Sequence, residues 1–290
     1  MSAEINKAFR ERVARRDALL IPGAANALAA RLIEELGFEA VYLSGAGLTN
    51  TYLGLPDLGF VTLTEIAQHT AAIRDAVALP IVVDADTGFG NALNVRHTVR
   101  TLERAGASAI QIEDQVSPKR CGHFSGKDVI DTAEMLGKIK AATDARHDPN
   151  LQIVARTDAR ATLGFDAAIE RAAAFIEAGA DITFVEAPES LDEIRAIPDR
   201  LAAPQLVNMV VGGRTPVLDL AELKHMGFAL VLYANAALQG AVYGMRAALT
   251  ELRESGRLDE SGPVASFTER QDLVRKRLYD ELEMRYVAKR

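Results

Sequence analysis

The sequence is poor in cysteine and tryptophan: it has one cysteine and no tryptophan among 290 residues. A single cysteine cannot form a disulfide within the chain, so we expect the reducing cytoplasm as its location. All apolar runs stay well short of the roughly 18 residues that a membrane-spanning helix requires. The first residues, Met1 to Asn6, also lack the apolar core of a secretory signal. We therefore predict a cytoplasmic protein that does not contact a membrane.

An excess of basic residues is likewise missing. Lysine and arginine number 33 against 40 acidic residues, which gives a net charge of -7. The sequence has no basic patch, which argues against nucleic acids and anionic membranes as partners. Hydrophobic residues make up 49% and charged residues 25%, as is typical of a globular protein with a sizeable core. No linker divides the chain, and we predict one domain over residues 1–290 that includes a C-terminal helical segment, 237–290.

Short apolar runs rich in β-forming residues alternate with helical segments along the chain. The runs are 18–23, 40–45, 80–86, 109–114, 152–158, 181–187, 205–209 and 229–235. Such alternation indicates parallel strands covered by helices, and continuous apolar strands are typical of a sheet buried on both faces. Eight units in about 250 residues match the size of a (β/α)8 TIM-type barrel. An open, doubly wound sheet is the alternative that the pattern leaves open.

The helix signals lie between these runs. The helix predicted over 166–179 has Asp166 as its N-cap and Gly179 as its C-terminal stop. Helices are also predicted over 92–105, 220–226 and 237–255. After a loop at 256–263, residues 267–288 are predicted to form one final helix with charges of both signs.

Acidic residues stand at the carboxyl ends of the predicted strands, the edge at which both architectures place active sites. Asp84 and Asp86 are two residues apart, so their carboxylates point to the same face and repel each other. A shared divalent cation would relieve this repulsion, with Glu113 from the next strand as a further ligand. Oxygen-only ligands favour Mg²⁺, or Mn²⁺, over zinc. Helix capping or salt bridges with loop arginines are the alternative role for these acids.

The only cysteine stands in the sequence Lys119-Arg120-Cys121-Gly122-His123. The two preceding cations favour a thiolate, so a reactive thiol is the preferred interpretation. A lone cysteine can also be a small buried hydrophobe, but the charged neighbours argue against a dry core. His123 is interpreted as a proton-transfer partner or substrate contact, with a plain surface position as the alternative.

The segment Ser44-Gly45-Ala46 ends the second predicted strand. It resembles a dinucleotide fingerprint only weakly, because Asn50 stands where the third glycine would be. Its backbone N–H groups are instead suited to hold a small carboxylate or an oxyanion.

Polar residues at three later strand ends also suit an anionic substrate. Arg156 is a natural bidentate partner for a carboxylate. Glu186 would orient Arg156 or take a proton, although a structural ion pair between the two is an equally good interpretation. Asn208 and the glycines that follow it offer amide and backbone donors for an anion, or else form a simple turn.

These motifs resemble those of the isocitrate lyase and phosphoenolpyruvate mutase superfamily. The resemblance covers most of the chain and rests on residues 43–45, 54–57, 84–90, 112–115, 119–123, 155–158 and 208–209. Segment 119–123 resembles the corresponding segment of the carbon–carbon lyases in this superfamily and not that of the phosphonate mutases, which lack its cysteine. The chain is shorter than true isocitrate lyases. This favours the short-chain group of 2-methylisocitrate lyases, 2,3-dimethylmalate lyases and plant or fungal relatives acting on malate-like acids or oxaloacetate.

Within that group, the segment after the seventh predicted strand favours a small substrate. 2-Methylisocitrate lyases usually carry Thr-Glu where this chain has Val210-Val211, so the resemblance implies a preference for 2,3-dimethylmalate-like dicarboxylates. The alternatives are cleavage of 2-methylisocitrate to pyruvate and succinate, hydrolysis of oxaloacetate, and a carboxyphosphonoenolpyruvate mutase-like reaction. The acid-rich strand ends disfavour a barrel without enzymatic activity.

The resemblance implies an Mg²⁺-dependent lyase that cleaves a 2-hydroxy di- or tricarboxylate to pyruvate and a second carboxylate. The implied metal ligands are Asp84, Asp86 and Glu113, and the implied catalytic residues are Cys121 as general acid, His123, Lys119, Arg120 and Glu186. The implied substrate contacts are Ser44, Gly45, Ala46, Asp57, Gly122, Arg156, Asn208 and Arg270. The segment with Cys121 is expected to close over the substrate. The implied assembly is a homotetramer, a dimer of dimers in which the last helix is exchanged between subunits.

Overall fold

Eight parallel strands close into a barrel in chain order. The structure, a computed structural model, describes residues 2–120, 122 and 126–287. The strands are β1 (Leu19–Ala24), β2 (Val41–Leu43), β3 (Ile81–Asp84), β4 (Ala109–Glu113), β5 (Gln152–Thr157), β6 (Ile182–Val185), β7 (Gln205–Asn208) and β8 (Leu230–Tyr233). Each strand pairs with the next, and β8 returns to β1 with Leu230 opposite Leu19. The predicted (β/α)8 barrel is confirmed, and its closure excludes the open sheet.

Helices connect the strands and cover the outside of the barrel. They are α1 (Ser2–Ala14), α2 (Ala27–Glu35), α3 (Gly45–Leu48), α4 (Leu63–Ala76), α5 (Ala92–Arg104), α6 (Thr132–Ala145), α7 (Arg160–Leu163), α8 (Phe165–Glu177), α9 (Leu191–Arg200), α10 (Leu220–His225), α11 (Ala236–Ser255), α12 (Phe267–Leu273) and α13 (Lys276–Tyr286). A π-helical turn, Thr49–Leu53, follows α3. In α5, Asn91 accepts hydrogen bonds from first-turn amides, and Val95, Val99 and Leu102 are buried at helical spacing.

The core has an inner and an outer layer, because side chains alternate along each strand. Leu19 and Ile21 of β1 pack with Val82 of β3 and Val154 of β5 in the inner layer, and Phe9 of α1 joins the same cluster. The intervening strand residues pack against the helices in two further clusters. The interior is therefore a filled core, and the barrel offers a substrate only its open end.

The predicted final helix over 267–288 is wrong at one point. Residues 267–286 form two helices, α12 and α13, which are separated at Val274 and Arg275. Arg275 has a left-handed backbone with φ 58°, and its guanidinium lies 3.0 Å from the carboxylate of Glu34 in α2. Because this contact joins opposite ends of the chain, the local helical pattern does not predict the break.

The predicted N-cap of α8 is also wrong. The helix begins at Phe165, directly after Gly164, whose φ of 94° turns the chain out of α7. Asp166 lies inside the first turn, where its carboxylate accepts a hydrogen bond from Arg200 Nη1 at 2.6 Å. Gly179 has the positive φ, 106°, expected of a residue that ends a helix.

The C-terminal helices α11, α12 and α13 lie on the surface. None of them contains a buried residue. Several of their large apolar side chains are mostly exposed, including Tyr243, Phe267 and Met284 at 80%, 65% and 77%. Among the described residues, no helix has the length and apolar character needed to cross a membrane.

Candidate active site

A cavity of about 210 Å³ opens at the carboxyl ends of the strands. Many residues that the sequence predicts for binding and catalysis line it: Ser44, Ala46, Asp57, Asp84, Lys119, Arg120, Gly122, Arg156, Glu186 and Asn208. They come from loops and strand ends that are far apart in the chain. The closed barrel brings them together because parallel strands all end at the same rim.

The carboxylates of Asp84 and Asp86 converge beside Gly45. A β-carbon at Gly45 would lie 3.2 Å from Asp84 Oδ2 and 3.1 Å from Asp86 Oδ1, so the two oxygens face one small space. The Gly45 amide donates a hydrogen bond to Asp84 Oδ2 at 3.3 Å. Lys119 Nζ lies 3.0 Å from Asp86 Oδ1 and 2.7 Å from Asp57 Oδ1. One ammonium group thus partly neutralises several acids.

Burial governs the ionisation of this cluster. It raises the pKa of Asp86 to about 7, against the opposing effect of Lys119. Burial alone would lower the pKa of Lys119, but Asp86, Asp84 and the acids around them outweigh it and raise that pKa well above its ordinary value. The ammonium group is therefore charged at neutral pH. An additional cation beside Asp84 and Asp86 would stabilise their ionised forms.

Arg156 is held by acids from three neighbouring strand ends. Its Nε and Nη2 donate to the Asp158 carboxylate at 2.9 and 3.1 Å. Nε also lies 3.3 Å from Glu113 Oε2, and Nη1 lies 3.7 Å from Glu186 Oε2. The guanidinium carbon sits 5.2 Å from the ring centre of Phe184, within the range of a cation–π contact. Arg156 is therefore fixed in place beside the cavity.

The acids near Asp84 include the donor types that a magnesium ion prefers. Besides the converging oxygens of Asp84 and Asp86, Glu113 Oε1 is buried and has no hydrogen-bond partner among the described residues. Within residues 2–120, 122 and 126–287, no group of three or more His, Cys, Asp or Glu side chains is arranged to hold a metal ion. In this arrangement Lys119 pairs with Asp86 and Arg156 with Glu113. The donor set nevertheless fits Mg²⁺ or Mn²⁺ by its chemistry.

Six predicted site residues are not among those that line the cavity. Gly45, Asp86 and Glu113 contact residues that do line it, namely Asp84, Lys119 and Arg156. Cys121 and His123 lie outside the described residues. Arg270 lies on the exposed surface of α12, with its guanidinium 5.2 Å from the ring centre of Phe267. Within this single chain Arg270 does not contribute to the cavity lining.

Tyr42 and Asn235 line the cavity although the sequence interpretation gave them no role. Burial, and then the charge of Asp84, raise the pKa of the Tyr42 hydroxyl well above its ordinary value, so it remains a neutral donor. The Oδ1 atoms of Asn235 and Asn208 are buried and have no hydrogen-bond partner in the described part of the chain. Asn235 ends the eighth predicted strand, and its position marks it as a polar residue of the edge where an active site is expected, without a specific role. Tyr42 lies within an apolar run, and nothing in the local sequence indicates that it borders a cavity.

Comparison with known proteins assigns the chain to a family. The family described as phosphoenolpyruvate phosphomutase matches residues 9–253. The chain belongs to this family. The predicted membership of the isocitrate lyase and phosphoenolpyruvate mutase superfamily is thereby confirmed.

Two relatives are similar over most of the chain. The 2,3-dimethylmalate lyase of Eubacterium barkeri is 44% identical over 286 residues, which cover 97% of this chain and 98% of that protein. The 2-methylisocitrate lyase of Aeropyrum pernix is 48% identical over 248 residues, or 86% of this chain and 80% of that protein. These relatives confirm the predicted enzyme class, a carbon–carbon lyase.

Solved structures in the same superfamily share the whole fold. An oxaloacetate acetylhydrolase in complex with the inhibitor 3,3-difluorooxalacetate superposes with a TM-score of 0.92 at 31% identity, covering 99% of this chain and 98% of the other. A phosphonopyruvate hydrolase in complex with oxalate and Mg²⁺ gives a TM-score of 0.88 at 32% identity, covering 98% and 99%. The barrel and its C-terminal helices therefore have counterparts along almost the full length.

Proposed function

We propose that the chain is an Mg²⁺-dependent lyase that cleaves a 2,3-dimethylmalate-like 2-hydroxy dicarboxylate into pyruvate and a second carboxylate. The observation that carries this proposal is the cavity that places the Asp84 carboxylate and the Arg156 guanidinium around one small volume. Such a volume accepts a chelating hydroxy acid on one side and a carboxylate on the other. Similarity to a 2,3-dimethylmalate lyase over nearly the whole chain supports the choice of substrate.

The acids and cations of the cavity divide into metal-holding and substrate-holding groups. Asp84, Asp86 and Glu113 would hold Mg²⁺, or Mn²⁺, which when bound supplies a Lewis acid for the substrate's 2-hydroxyl group. Arg156 binds a substrate carboxylate with a guanidinium that its acidic neighbours have already oriented. Asn208 and the backbone of residues 44–46, with Asp57 and Gly122 at the cavity wall, complete the contacts.

One proton transfer precedes the bond cleavage and a second follows it. Glu186 takes the proton of the 2-hydroxyl, the C2–C3 bond breaks, and the electron pair stays on C3 beside the second carboxylate. Cys121 then donates its proton to C3, which completes the carboxylate product. We assign Lys119, Arg120 and His123 to the support of this proton donation, because they flank the thiol in the sequence. Arg156 and Asn208 stabilise the negative charge that develops on the departing fragment.

Val210 and Val211 support the smaller substrate. Both line the cavity, and Val211 is 61% exposed. Valine side chains offer no hydrogen bond to the additional carboxylate of 2-methylisocitrate. The second candidate is 2-methylisocitrate cleavage, which is favoured by the 48% identity to the lyase of Aeropyrum pernix.

A substrate panel tests the proposal. Purified protein with Mg²⁺ is assayed for pyruvate from 2,3-dimethylmalate and from 2-methylisocitrate, for oxalate from oxaloacetate, and for a phosphonate product. We expect the highest kcat/KM for 2,3-dimethylmalate. A higher value for 2-methylisocitrate would restore the second candidate, and oxalate as the main product would replace the lyase by a hydrolase.

We also propose a cytoplasmic homotetramer in which the last helix is exchanged between subunits. The single cysteine supports the location. The exposed apolar side chains of α11, α12 and α13 support the assembly, because a second subunit would cover them. Light scattering coupled to gel filtration should give four times the 31.2 kDa mass of one chain. A monomeric mass would reject this assembly.

A further inference from the structure

Lys127 links the backbone at Gly122, in the cavity wall, to Asp158 after the end of β5. Its Nζ donates to Asp158 Oδ1 at 2.7 Å and also to the backbone carbonyl of Gly122. The Lys127 side chain is only 2% exposed, and that of Asp158 is fully buried. Asp158 is the same carboxylate that binds the guanidinium of Arg156 through two hydrogen bonds. One buried acid therefore joins Lys127 to the substrate-binding arginine.

The carbonyl that Lys127 holds belongs to a residue packed tightly into the cavity wall. A β-carbon at Gly122 would overlap with Arg156 Nη2 and with Glu186 Oε1. The backbone at Gly122 therefore lies directly on the Arg156–Glu186 pair. A shift of this backbone would change the cavity at the point where the substrate's carboxylate is expected to bind.

Gly122 lies in the chain between Asp114 and Ile130, and these two residues are fixed independently of Lys127. Arg171 of α8 donates to Asp114 Oδ2 at 2.9 Å, to Thr132 Oγ1 at 2.9 Å and to the Ile130 carbonyl at 2.8 Å. The Ile130 amide donates to the Asp114 carbonyl at 2.9 Å. Arg171 thus ties the start of the segment to its end. Nearer the cavity, Lys119 binds Asp57 and Asp86, and the Arg120 backbone is hydrogen-bonded to the Gln115 side chain. The backbone carbonyl of Gly122 is held by Lys127.

We propose that Lys127 is a positioning residue: it fixes the Gly122 backbone against Arg156 and Glu186 in the cavity wall. Burying an ammonium group beside a carboxylate costs desolvation energy, so such a pair is better explained by the geometry that it specifies than by stability. The inference rests on the proposed function in one respect, since the consequence for turnover requires that the cavity is the active site.

The test compares Lys127→Met with Lys127→Arg in the full-length protein. Methionine fills similar space but donates no hydrogen bond, whereas arginine keeps a cation for Asp158. The matched control is Arg146→Met. Arg146 also bridges a backbone carbonyl, that of Leu151, and a carboxylate, that of Asp181. That bridge lies at the opposite end of the strands from the cavity.

Two readouts are needed, of which one does not depend on activity. We expect Lys127→Met to lower kcat by about 10- to 100-fold, as a small misplacement of active-site groups does, and to change KM by less than about threefold because Arg156 remains. Lys127→Arg should retain more of kcat. Hydrogen exchange of the amides of residues 116, 117, 119, 120 and 126–129 should be at least about tenfold faster in Lys127→Met and unchanged in Arg146→Met.

The outcomes separate this inference from the proposed function. Wild-type kcat and wild-type exchange in Lys127→Met would overturn the positioning role, as would an equal loss of kcat in Arg146→Met. If the wild-type protein turns over none of the substrates, the proposed function fails, and hydrogen exchange alone decides the role of Lys127. If Lys127→Met does not fold, the same comparison is made with Lys127→Arg, for which wild-type exchange with lowered kcat would reject the inference.

Discussion

Gly122 packs directly against Arg156, so that the Arg156 guanidinium and the adjacent Glu186 carboxylate fill the space that any β-carbon at position 122 would need. We expect Gly122→Ala to lower kcat/KM by at least about 100-fold, because Arg156 or the backbone must move away from its position in the cavity. Steady-state kinetics measures the effect. Gly137→Ala is the control. Gly137 lies in α6, and apart from its chain neighbours and the helix backbone no atom lies within 4 Å of an added β-carbon, so this change should leave kcat/KM intact.

A divalent cation should be required for activity. Treatment with EDTA should abolish pyruvate release, and added Mg²⁺ or Mn²⁺ should restore it. Asp86→Asn should weaken Mn²⁺ binding, as measured by electron paramagnetic resonance of free Mn²⁺, because a charged oxygen that converges with Asp84 Oδ2 is lost. The exposed Asp166→Asn should bind as tightly as the wild type. Full turnover by metal-free enzyme would refute the requirement.

Cys121→Ser should slow the chemical step while leaving substrate binding in place. A thiol has an ordinary pKa of about 8.5, whereas an alcohol is a far weaker acid, so proton donation to the carbanion becomes harder. Loss of a general acid typically costs about 10²- to 10⁴-fold, and we expect kcat to fall by that order with KM within about fivefold.

Alkylation offers a second check on Cys121, because it is the only thiol of the chain. Iodoacetamide should inactivate the wild-type enzyme, and bound substrate or product should protect it. A serine variant that turns over at the wild-type rate would remove Cys121 from the mechanism.

Glu193 should stabilise the fold in a pH-dependent way. Burial alone would raise its pKa, but hydrogen bonds from Arg160 and from the Glu189 amide hold the pKa below its ordinary value of 4.5. Because the folded pKa lies below the unfolded one, this stabilisation is fully present above pH 4.5 and is lost as the pH falls through the folded pKa. Glu193→Gln should therefore lower the free energy of unfolding at pH 7 by about 1 kcal/mol.

Urea unfolding of wild type and Glu193→Gln at a series of pH values checks this sign. The difference between the two proteins should shrink as the pH falls below 4.5. The exposed ion pair of Asp166 and Arg200 provides the control, and Asp166→Asn should change the free energy of unfolding by less than about 0.5 kcal/mol. A difference that grows in acid would contradict the assignment.

The barrel was predictable because its strands are buried on both faces, so that each appears in the sequence as a separate apolar run. The break at Arg275 was not predictable, because it coincides with an ion pair to Glu34 near the other end of the chain. The acids Asp84 and Asp86 were recognisable as candidates, since they end a strand two residues apart. The ion pair of Asp86 with Lys119, which follows β4, depends on how the loops fold and is not indicated by the local sequence.

Other features of the site could be recognised only in the folded chain, for the same reason. Lys127 lies among ordinary loop residues between β4 and β5, and its hydrogen-bond partner Asp158 is far away in the sequence, after the end of β5. Tyr42 is one of several apolar residues of β2, and only closure of the barrel shows that it borders the cavity. Short-range patterns thus predict which residues reach the rim, whereas contacts between loops decide how they are oriented.

The hydrogen bonds of Arg171 make residues 115–129 a separable insert in the barrel. The residues that flank the insert, Asp114 and Ile130, are hydrogen-bonded to each other and to Arg171 of α8. A change in the length of the chain between them therefore costs little loop entropy. An altered insert must keep two contacts with the strand ends, that of Lys119 with Asp86 after β3 and that of Lys127 with Asp158 after β5. Exchanging the insert between related enzymes therefore tests what the segment with Cys121 contributes to turnover, while Val210 and Val211, on which the proposed substrate preference rests, stay unchanged.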